Sequence, residues 1–301
     1  MRSLRIGTRR SALATVQAEH VRALLFAQGV EAEIVGITTS GDEGADASSS
    51  PSGLKGLWID AILASLRDGD VDLAVHSAKD LPAEDEDDLV IGAVPARDDP
   101  HDVLVLRDER ELAAGMVVGT SSVRRRAQIQ ALVPGVGVAD LRGNVETRLG
   151  KLAAGEVDAT ILAAAGLARL ELEPAHARRL EVDEMLPAPG QGCLAVQCRA
   201  DARDVAAVLA LLDDHAARAA LETERALVHR IGGGCALPLG AIAAVKTDTI
   251  RLAACVASPD GVRVVKAAAE AAEPERAAAL VAHELESKGA RAILAEVGGG
   301  A

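Results

Sequence analysis

The sequence predicts an α/β protein with two lobes of parallel-rich sheet around a cleft and a small α+β domain at its C-terminal end. Three observations lead there. Strand-like runs alternate with helix-like stretches up to about residue 80 and again from about 99 to 188, an order that builds parallel sheets with helices on their faces. Pro187, Pro189, Gly190 and Gly192 then form a hinge-like crossing, after which Cys193–Gln197 reads as a returning strand. Beyond it the rhythm changes to one long amphipathic stretch, three strand-like runs and a final helix. At 301 residues the chain is also too long for one ordinary core.

Element by element, Leu4–Gly7 is a short strand. Ser11 can cap a helix whose apolar positions Leu13, Val16, Val21, Leu24 and Leu25 approximate a 3.6-residue period, closed by Gly29. Glu33–Ile37 is the next strand, residues 58–67 a helix closed by Gly69, and Val71–Val75 a strand. Gly41–Gly53 is rich in Gly, Ser and Asp and reads as a loop, either a plain linker or a lid. In the second lobe, strand Met116–Gly119 leads to a helix from Ser122. Strand Val136–Leu141 leads to a helix from Asn144, and strand Val157–Leu162 to a short helix ending near Leu170. In the last part, residues 215–230 form an amphipathic helix. Strands at 239–246, 249–257 and 262–269 follow, with Pro259-Asp260-Gly261 as a tight turn, then a helix over about 274–288.

Composition excludes several classes of function. The net charge of −13 disfavours a general nucleic-acid or membrane-surface binder. One Phe, one Trp and no Tyr mean a core built from Ala, Val, Leu and Ile, and they also leave no base-stacking platform. The start lacks the apolar stretch of a secretory signal and no run is long enough to span a bilayer, so a cytoplasmic protein is expected. The four cysteines make no paired CxxC sets and lack histidines at supporting spacings, so neither a disulfide framework nor a metal site is expected. No phosphate loop or dinucleotide fingerprint is present.

Against the acidic balance, 26 of the 32 basic residues are Arg, the side chain suited to bidentate recognition of carboxylate or phosphate. Ligands of α/β sheets bind at the carboxyl ends of strands. Four predicted strand ends carry hydroxyls, Arg or both: Thr8, Arg9, Arg10 and Ser11; Ser121 with Arg124–Arg126; Arg142 with Arg148; and Arg169. Together they predict a polyanion cleft. Arg124, Arg125 and Arg126 cannot all point one way on a helix, so at least one is structural or exposed. His76-Ser-Ala-Lys79-Asp80-Leu-Pro82 places a Lys and an Asp at another strand end, where the Asp serves either acid/base chemistry or a structural ion pair or turn cap. His76 reads as a buried strand residue, and the acidic run Glu84–Asp88 as a solvated loop. Cys235, after three glycines, sits where little bulk screens it, as a nucleophile or attachment point requires. Cys193, Cys198 and Cys255 read as core residues.

Eight segments in order resemble the hydroxymethylbilane synthase (porphobilinogen deaminase) family. They are Arg5–Ser11 with Leu13-Ala14, Lys55-Gly-Leu57, His76–Pro82, Gly119–Arg125, Leu141–Val145 with Thr147–Leu149, Ala165–Leu167 with Arg169-Leu170, Pro189–Gly192, and Gly233–Cys235 with Pro238–Gly240. The resemblance implies two lobes like those of a periplasmic binding protein and a third domain bearing the cofactor. The expected division is 1–97 with 191–213, then 98–190, then 214–301.

The family's cofactor is a dipyrromethane joined by a thioether to the Cys matching Cys235, and built from the enzyme's own substrate. Four porphobilinogen molecules are joined head to tail, each losing ammonia, and hydrolysis releases the linear tetrapyrrole. Every pyrrole ring carries an acetate and a propionate, which suits an arginine-rich cleft. The resemblance assigns Asp80 as the catalytic carboxylate. It assigns Lys79, Ser121, Arg124, Arg125, Arg142 and Gly143 to the cofactor, and Arg9, Ser11, Lys55, Arg148, Arg169 and Gln191 to the substrate. Residues 41–57 would be a mobile segment over the cleft. It further implies a cytoplasmic monomer whose partner is porphobilinogen, with no nucleic acid, membrane or metal. Departures are Trp58 where Phe is common, Leu54 for Gly and Ala78 for Met, while Arg10 and Arg126 receive no role. A competing reading is a non-catalytic two-lobed anion sensor, which explains the arginines but not Asp80 or Cys235.

Overall fold

The computed structural model describes residues 2–38, 53–82, 84, 86–232 and 237–298, with 53–58 and 297–298 given by backbone alone. In chain order the elements are β1 (Leu4–Arg9), α1 (Ala12–Ala27), β2 (Ala32–Ile37), α2 (Gly53–Arg67), β3 (Leu73–Ser77), β4 (Leu89–Ala93) and β5 (Asp102–Leu106). Then come β6 (Val117–Gly119), α3 (Val123–Leu132), β7 (Gly137–Ala139), α4 (Val145–Ala153), β8 (Ala159–Ala163), α5 (Ala164–Arg169), β9 (Ala177–Leu180) and β10 (Leu194–Arg199). The chain finishes with α6 (Arg203–Leu209), α7 (His215–Ile231), β11 (Leu239–Lys246), β12 (Thr249–Ala257), β13 (Val264–Ala271), α8 (Pro274–Ser287) and α9 (Ala290–Gly298).

Two compact units result, Met1–Arg97 with Cys193–Arg218, and Asp98–Gly192 with Ala219–Ala301. The first carries a sheet in the order β2-β1-β3-β10-β4. β1 runs parallel to β2 and β3, whereas the returning β10 is antiparallel to β3 and β4. One face is packed by Ile6, Leu73, Val75, Leu194 and Val196 against Val21 and Leu25 of α1 and Val205 and Leu209 of α6. α1 forms where Ser11 Oγ accepts from Ala14 N at 3.3 Å, and Gln17, Ala18, Val21 and Leu25 make its buried stripe.

The second unit holds two sheets. The five-stranded one, ordered β7-β6-β8-β5-β9, is covered on both faces: Leu104, Val118, Ile129 and Ile161 pack on one side, and Val103, Val105, Leu141, Leu152 and Leu162 on the other. The three-stranded one, β11-β12-β13, is antiparallel in an unbroken register and packs on α8 through Leu252, Ala254, Ala277, Val281 and Leu285. The hairpin joining β12 to β13 rests on α3. A Cβ at Gly261 would come within 2.7 Å of Ala131 N and 2.8 Å of Ala127 O, so only glycine permits this approach.

Several expectations are corrected. The loop expected through residue 57 ends earlier, because α2 begins at Gly53; Leu54, Leu57, Ala61 and Ile62 carry its helical apolar spacing upstream. Residues 41–52, the rest of that loop, lie outside the described residues. β13 starts at Val264 rather than 262. Its turn is longer than Pro259-Asp260-Gly261, with Ser258 N donating to Arg263 O at 2.8 Å and Val262 N to Asp260 Oδ1 at 3.0 Å. β7 is shorter than the 136–141 run. β4, β5, β9, α6 and α9 are additions.

Candidate active site

In the first unit the candidate residues gather where β1 and β3 end. Thr8 is buried and its Oγ1 donates to Ala14 O at 3.1 Å, closing the β1–α1 turn around Arg9 and Ser11, both half-buried. Ser11 is occupied as the cap of α1. α1 is tied to the end of β3 by Gln17, whose Nε2 donates to Ser77 Oγ at 2.8 Å. Past Ser77 a single 3₁₀ turn, Ala78–Asp80, presents Lys79 and Asp80 half-buried. Its start is pinned by Ala78 N donating to Cys193 O at 3.0 Å, its end by Leu81 N donating to Ala78 O at 3.2 Å, and Pro82 stops the helix.

His76 is buried one turn before Asp80, and its Nε2 has no hydrogen-bond partner among the described residues. Burial pushes its imidazole down to about 4, against the opposing pull of Asp80, so the ring is neutral at pH 7. The Lys55 side chain, on the first turn of α2, is outside the described residues.

In the second unit, Ser122 rather than Ser121 caps α3, its Oγ accepting from Arg125 N at 3.4 Å. Ser121 Oγ instead donates to Leu141 O at 2.9 Å. Hydrogen bonds from Ser121 and Arg142 hold the Asp140 carboxyl below its usual range. The three arginines of α3 separate, as helix geometry requires. Arg124 and Arg125 turn inward, whereas Arg126 Nη1 donates to Val138 O at 3.3 Å.

The inward pair converges on Asp102, the fully buried first residue of β5. Asp102 Oδ2 accepts from Arg124 Nη1 at 2.6 Å; Oδ1 accepts from Arg125 Nη2 at 2.7 Å and Nε at 3.1 Å. Burial raises the Asp102 carboxyl pKa, but the two guanidiniums more than reverse this and hold it well below the usual carboxylate range.

At the β7–α4 junction, Gly143 has φ of +122° and a Cβ there would lie 2.6 Å from Thr147 Cγ2. This backbone places Asn144 to cap α4, with Oδ1 accepting from Thr147 N at 2.8 Å. It also orients Arg148, whose Nε donates to Gly143 O at 2.8 Å. Arg142 is 62% exposed and its Nε donates to Asp140 at 2.8 Å.

Two residues assigned to the substrate are held by partners within the protein. Arg169 donates to Asp98 Oδ2 from Nε at 2.8 Å and to Gly192 O from Nη2 at 2.9 Å, joining the segments that begin and end this part of the unit. Gln191, expected to touch substrate, is fully buried. Its Nε2 donates to Pro100 O at 2.7 Å, His101 O at 3.3 Å and Asp102 Oδ1 at 3.0 Å, which makes it a positioning residue.

Sequence reasoning missed Asp102, which belongs to none of the motifs singled out. It also missed Glu224. That residue stands on the buried face of α7 with Ala217, Ala220, Leu221 and Leu227, and a carboxylate in an apolar stripe was a usable signal. Its Oε2 accepts from Gly190 N at 2.5 Å and its Oε1 from Ala243 N at 2.7 Å.

Cys235 lies outside the described residues, between the end of α7 and the start of β11. Cys193, Cys198 and Cys255 are buried, and burial pushes the Cys255 thiol up to about 11. Among the described residues no group of His, Cys, Asp and Glu could hold a metal ion, and no helix is long and apolar enough to cross a membrane.

Comparison with known proteins adds two family matches. The model described as "Porphobilinogen deaminase, dipyromethane cofactor binding domain" matches residues 4–207, and "Porphobilinogen deaminase, C-terminal domain" matches 219–287. Curated relatives named porphobilinogen deaminase include that of Brevibacillus brevis, 46% identical over 97% of this chain and 97% of its own. Those of Acidothermus cellulolyticus (47% identity, 86% of this chain and 80% of its own) and Roseiflexus sp. (45%, 97% and 99%) are similar. With two family models covering most of the chain and relatives this similar along its length, the chain belongs to the porphobilinogen deaminase family.

Proposed function

We infer that the chain is a hydroxymethylbilane synthase. This transferase of tetrapyrrole, porphyrin and heme biosynthesis condenses four porphobilinogen molecules head to tail onto a dipyrromethane cofactor, with loss of ammonia, and hydrolysis then releases the linear tetrapyrrole. The observation that carries the reading is Asp80, a half-buried carboxylate fixed at the end of β3 beside Lys79, in a chain related to this family over nearly its whole length.

The donor set of the second unit fits the cofactor. Each of its rings bears two carboxylates, and guanidiniums stand at the β6–α3 and β7–α4 junctions, Arg142 among them with most of its side chain exposed. When bound, the dipyrromethane supplies a tethered, electron-rich pyrrole end. Cys235 is assigned as its thioether anchor. Lys79, Ser121, Arg142 and Gly143 are assigned to its carboxylates, and so are Arg124 and Arg125, whose side chains are 5% and 7% exposed beside Asp102. Arg9, Ser11, Lys55, Arg148 and Arg169 are assigned to the incoming substrate.

Asp80 delivers a proton to the leaving amine of porphobilinogen. Its negative charge then faces the positive charge that develops on the substrate carbon. Finally it takes up the proton released when the new carbon–carbon bond is complete. Buried, neutral His76 adds no second positive charge beside this carboxylate.

Three domains, 1–97 with 191–213, 98–190 and 214–301, go with this reading, supported by the three separate sheets among the described residues. So does a cytoplasmic monomer without nucleic-acid or membrane partners, supported by the net charge of −13. The sensor alternative leaves Asp80 and Cys235 without a purpose.

Intact mass spectrometry tests the assignments. Purified protein is expected to carry the mass of two pyrrole units, and Cys235→Ala to lack it. Asp80→Asn is expected to keep that mass while turnover falls by about 100-fold or more. An unmodified Cys235 in active protein refutes the anchor, and normal turnover of Asp80→Asn refutes the acid/base role.

A further inference from the structure

Arg124 and Arg125 are consecutive on α3, so their side chains leave the helix about 100° apart. They converge because one carboxylate receives both. Asp102 Oδ2 takes Arg124 Nη1 at 2.6 Å, and Oδ1 takes two donors of Arg125 at 2.7 and 3.1 Å. Two main-chain oxygens add to these bonds: Leu186 O accepts from the same Arg124 Nη1 at 2.8 Å, and Ile161 O accepts from Arg125 Nη1 at 2.8 Å. Gln191 Nε2, at 3.0 Å from Oδ1, holds the carboxylate itself. The acceptor is fully buried and the arginines nearly so, so neither guanidinium can swing without breaking charge-assisted bonds in a dry interior.

We propose that Asp102 is the positioning residue of the cofactor site, a buried anion that sets the direction and spacing of Arg124 and Arg125 before the dipyrromethane carboxylates arrive. It touches no reacting atom. It keeps two cations side by side whose mutual repulsion would otherwise drive them apart, and so prepares the pair for a ligand with several carboxylates. This rests on the assignment of Arg124 and Arg125 to the cofactor.

The test uses Asp102→Asn, which keeps shape and removes charge. Full-length protein is made in cells that cannot supply porphobilinogen, then incubated with porphobilinogen, and the gain of the two-pyrrole mass is followed over time. Circular dichroism and Tm are recorded alongside. The expected result is a folded protein of lower Tm. Its loading rate, measured far below Tm, falls at least tenfold, and its half-saturating porphobilinogen concentration rises. A merely structural Asp102 would lower Tm and leave both loading parameters unchanged, which overturns the proposal.

If Asp102→Asn does not fold, Gln191→Met removes one donor from Oδ1 without touching either arginine. Slower loading of this folded variant supports the proposal and wild-type loading overturns it. The underlying assignment fails separately. If wild-type protein never gains the two-pyrrole mass, or Arg124→Leu loads normally while folded, the cofactor site itself is misplaced.

Discussion

At the scale of single residues, burial divides side chains that look alike in the sequence. Arg142 and Arg125 both follow a strand end, yet Arg142 is 62% exposed beside Asp140 whereas Arg125 is buried on Asp102. Arg142→Leu is therefore expected to leave stability within about 0.5 kcal/mol of wild type and to slow cofactor loading or elongation. Arg125→Leu is expected to cost about 3–5 kcal/mol, because it strips a buried carboxylate of a partner. Urea denaturation of the two variants separates these outcomes.

His76 gives a pH prediction. Its folded-state pKa of about 4 lies below the ordinary 6.5, so the unfolded chain binds the proton first and stability falls as pH drops through that window. The loss is about 3 kcal/mol by pH 4. Stability above pH 6.5 is unaffected by this group. His76→Gln is expected to flatten the stability profile between pH 6.5 and 4, and an unchanged slope would show that another group titrates there.

Among elements, the helix starts were legible because their chemistry is local. Ser11, Ser122 and Asn144 each accept a main-chain N–H within their own first turn, and the sequence placed all three helices from those residues. β9 was not legible. Its text, Ala-Arg-Arg-Leu, has no apolar alternation, and it is a strand only because β5 offers an edge to pair with. β5, a short apolar run, gave no periodicity to distinguish a buried strand from a buried helix. The start of α4 depends on Gly143. Gly143→Ala is expected to cost about 1–3 kcal/mol through its φ of +122° and the clash with Thr147, lowering Tm and disturbing Arg142 and Arg148 together. An unchanged Tm would show that this turn relaxes freely.

Across the whole chain, the third sheet is joined to the arginine-bearing part of its unit by contacts far apart in sequence. Gly261 lets the β12–β13 hairpin rest on α3, and Glu224 joins α7 to both Gly190 and β11. Glu224→Ala leaves two buried N–H groups without that acceptor, each worth about 1–3 kcal/mol. Hydrogen exchange at Gly190 and Ala243 is expected to speed up by about 10- to 100-fold, while amides of the first unit keep their protection. Equal loosening of both units would assign Glu224 to global stability.

The sequence alone determined the α/β alternation, the returning strand, the antiparallel third sheet and the candidate residues at strand ends. Caps, apolar periods and strand-end chemistry are all written within a few neighbouring residues. Only the tertiary structure decided which arginines face inward, that Gln191 braces the interior, and that Asp102 and Glu224 matter at all. Those roles come from partners about 20 to 90 positions away, and only folding brings their atoms within hydrogen-bonding distance.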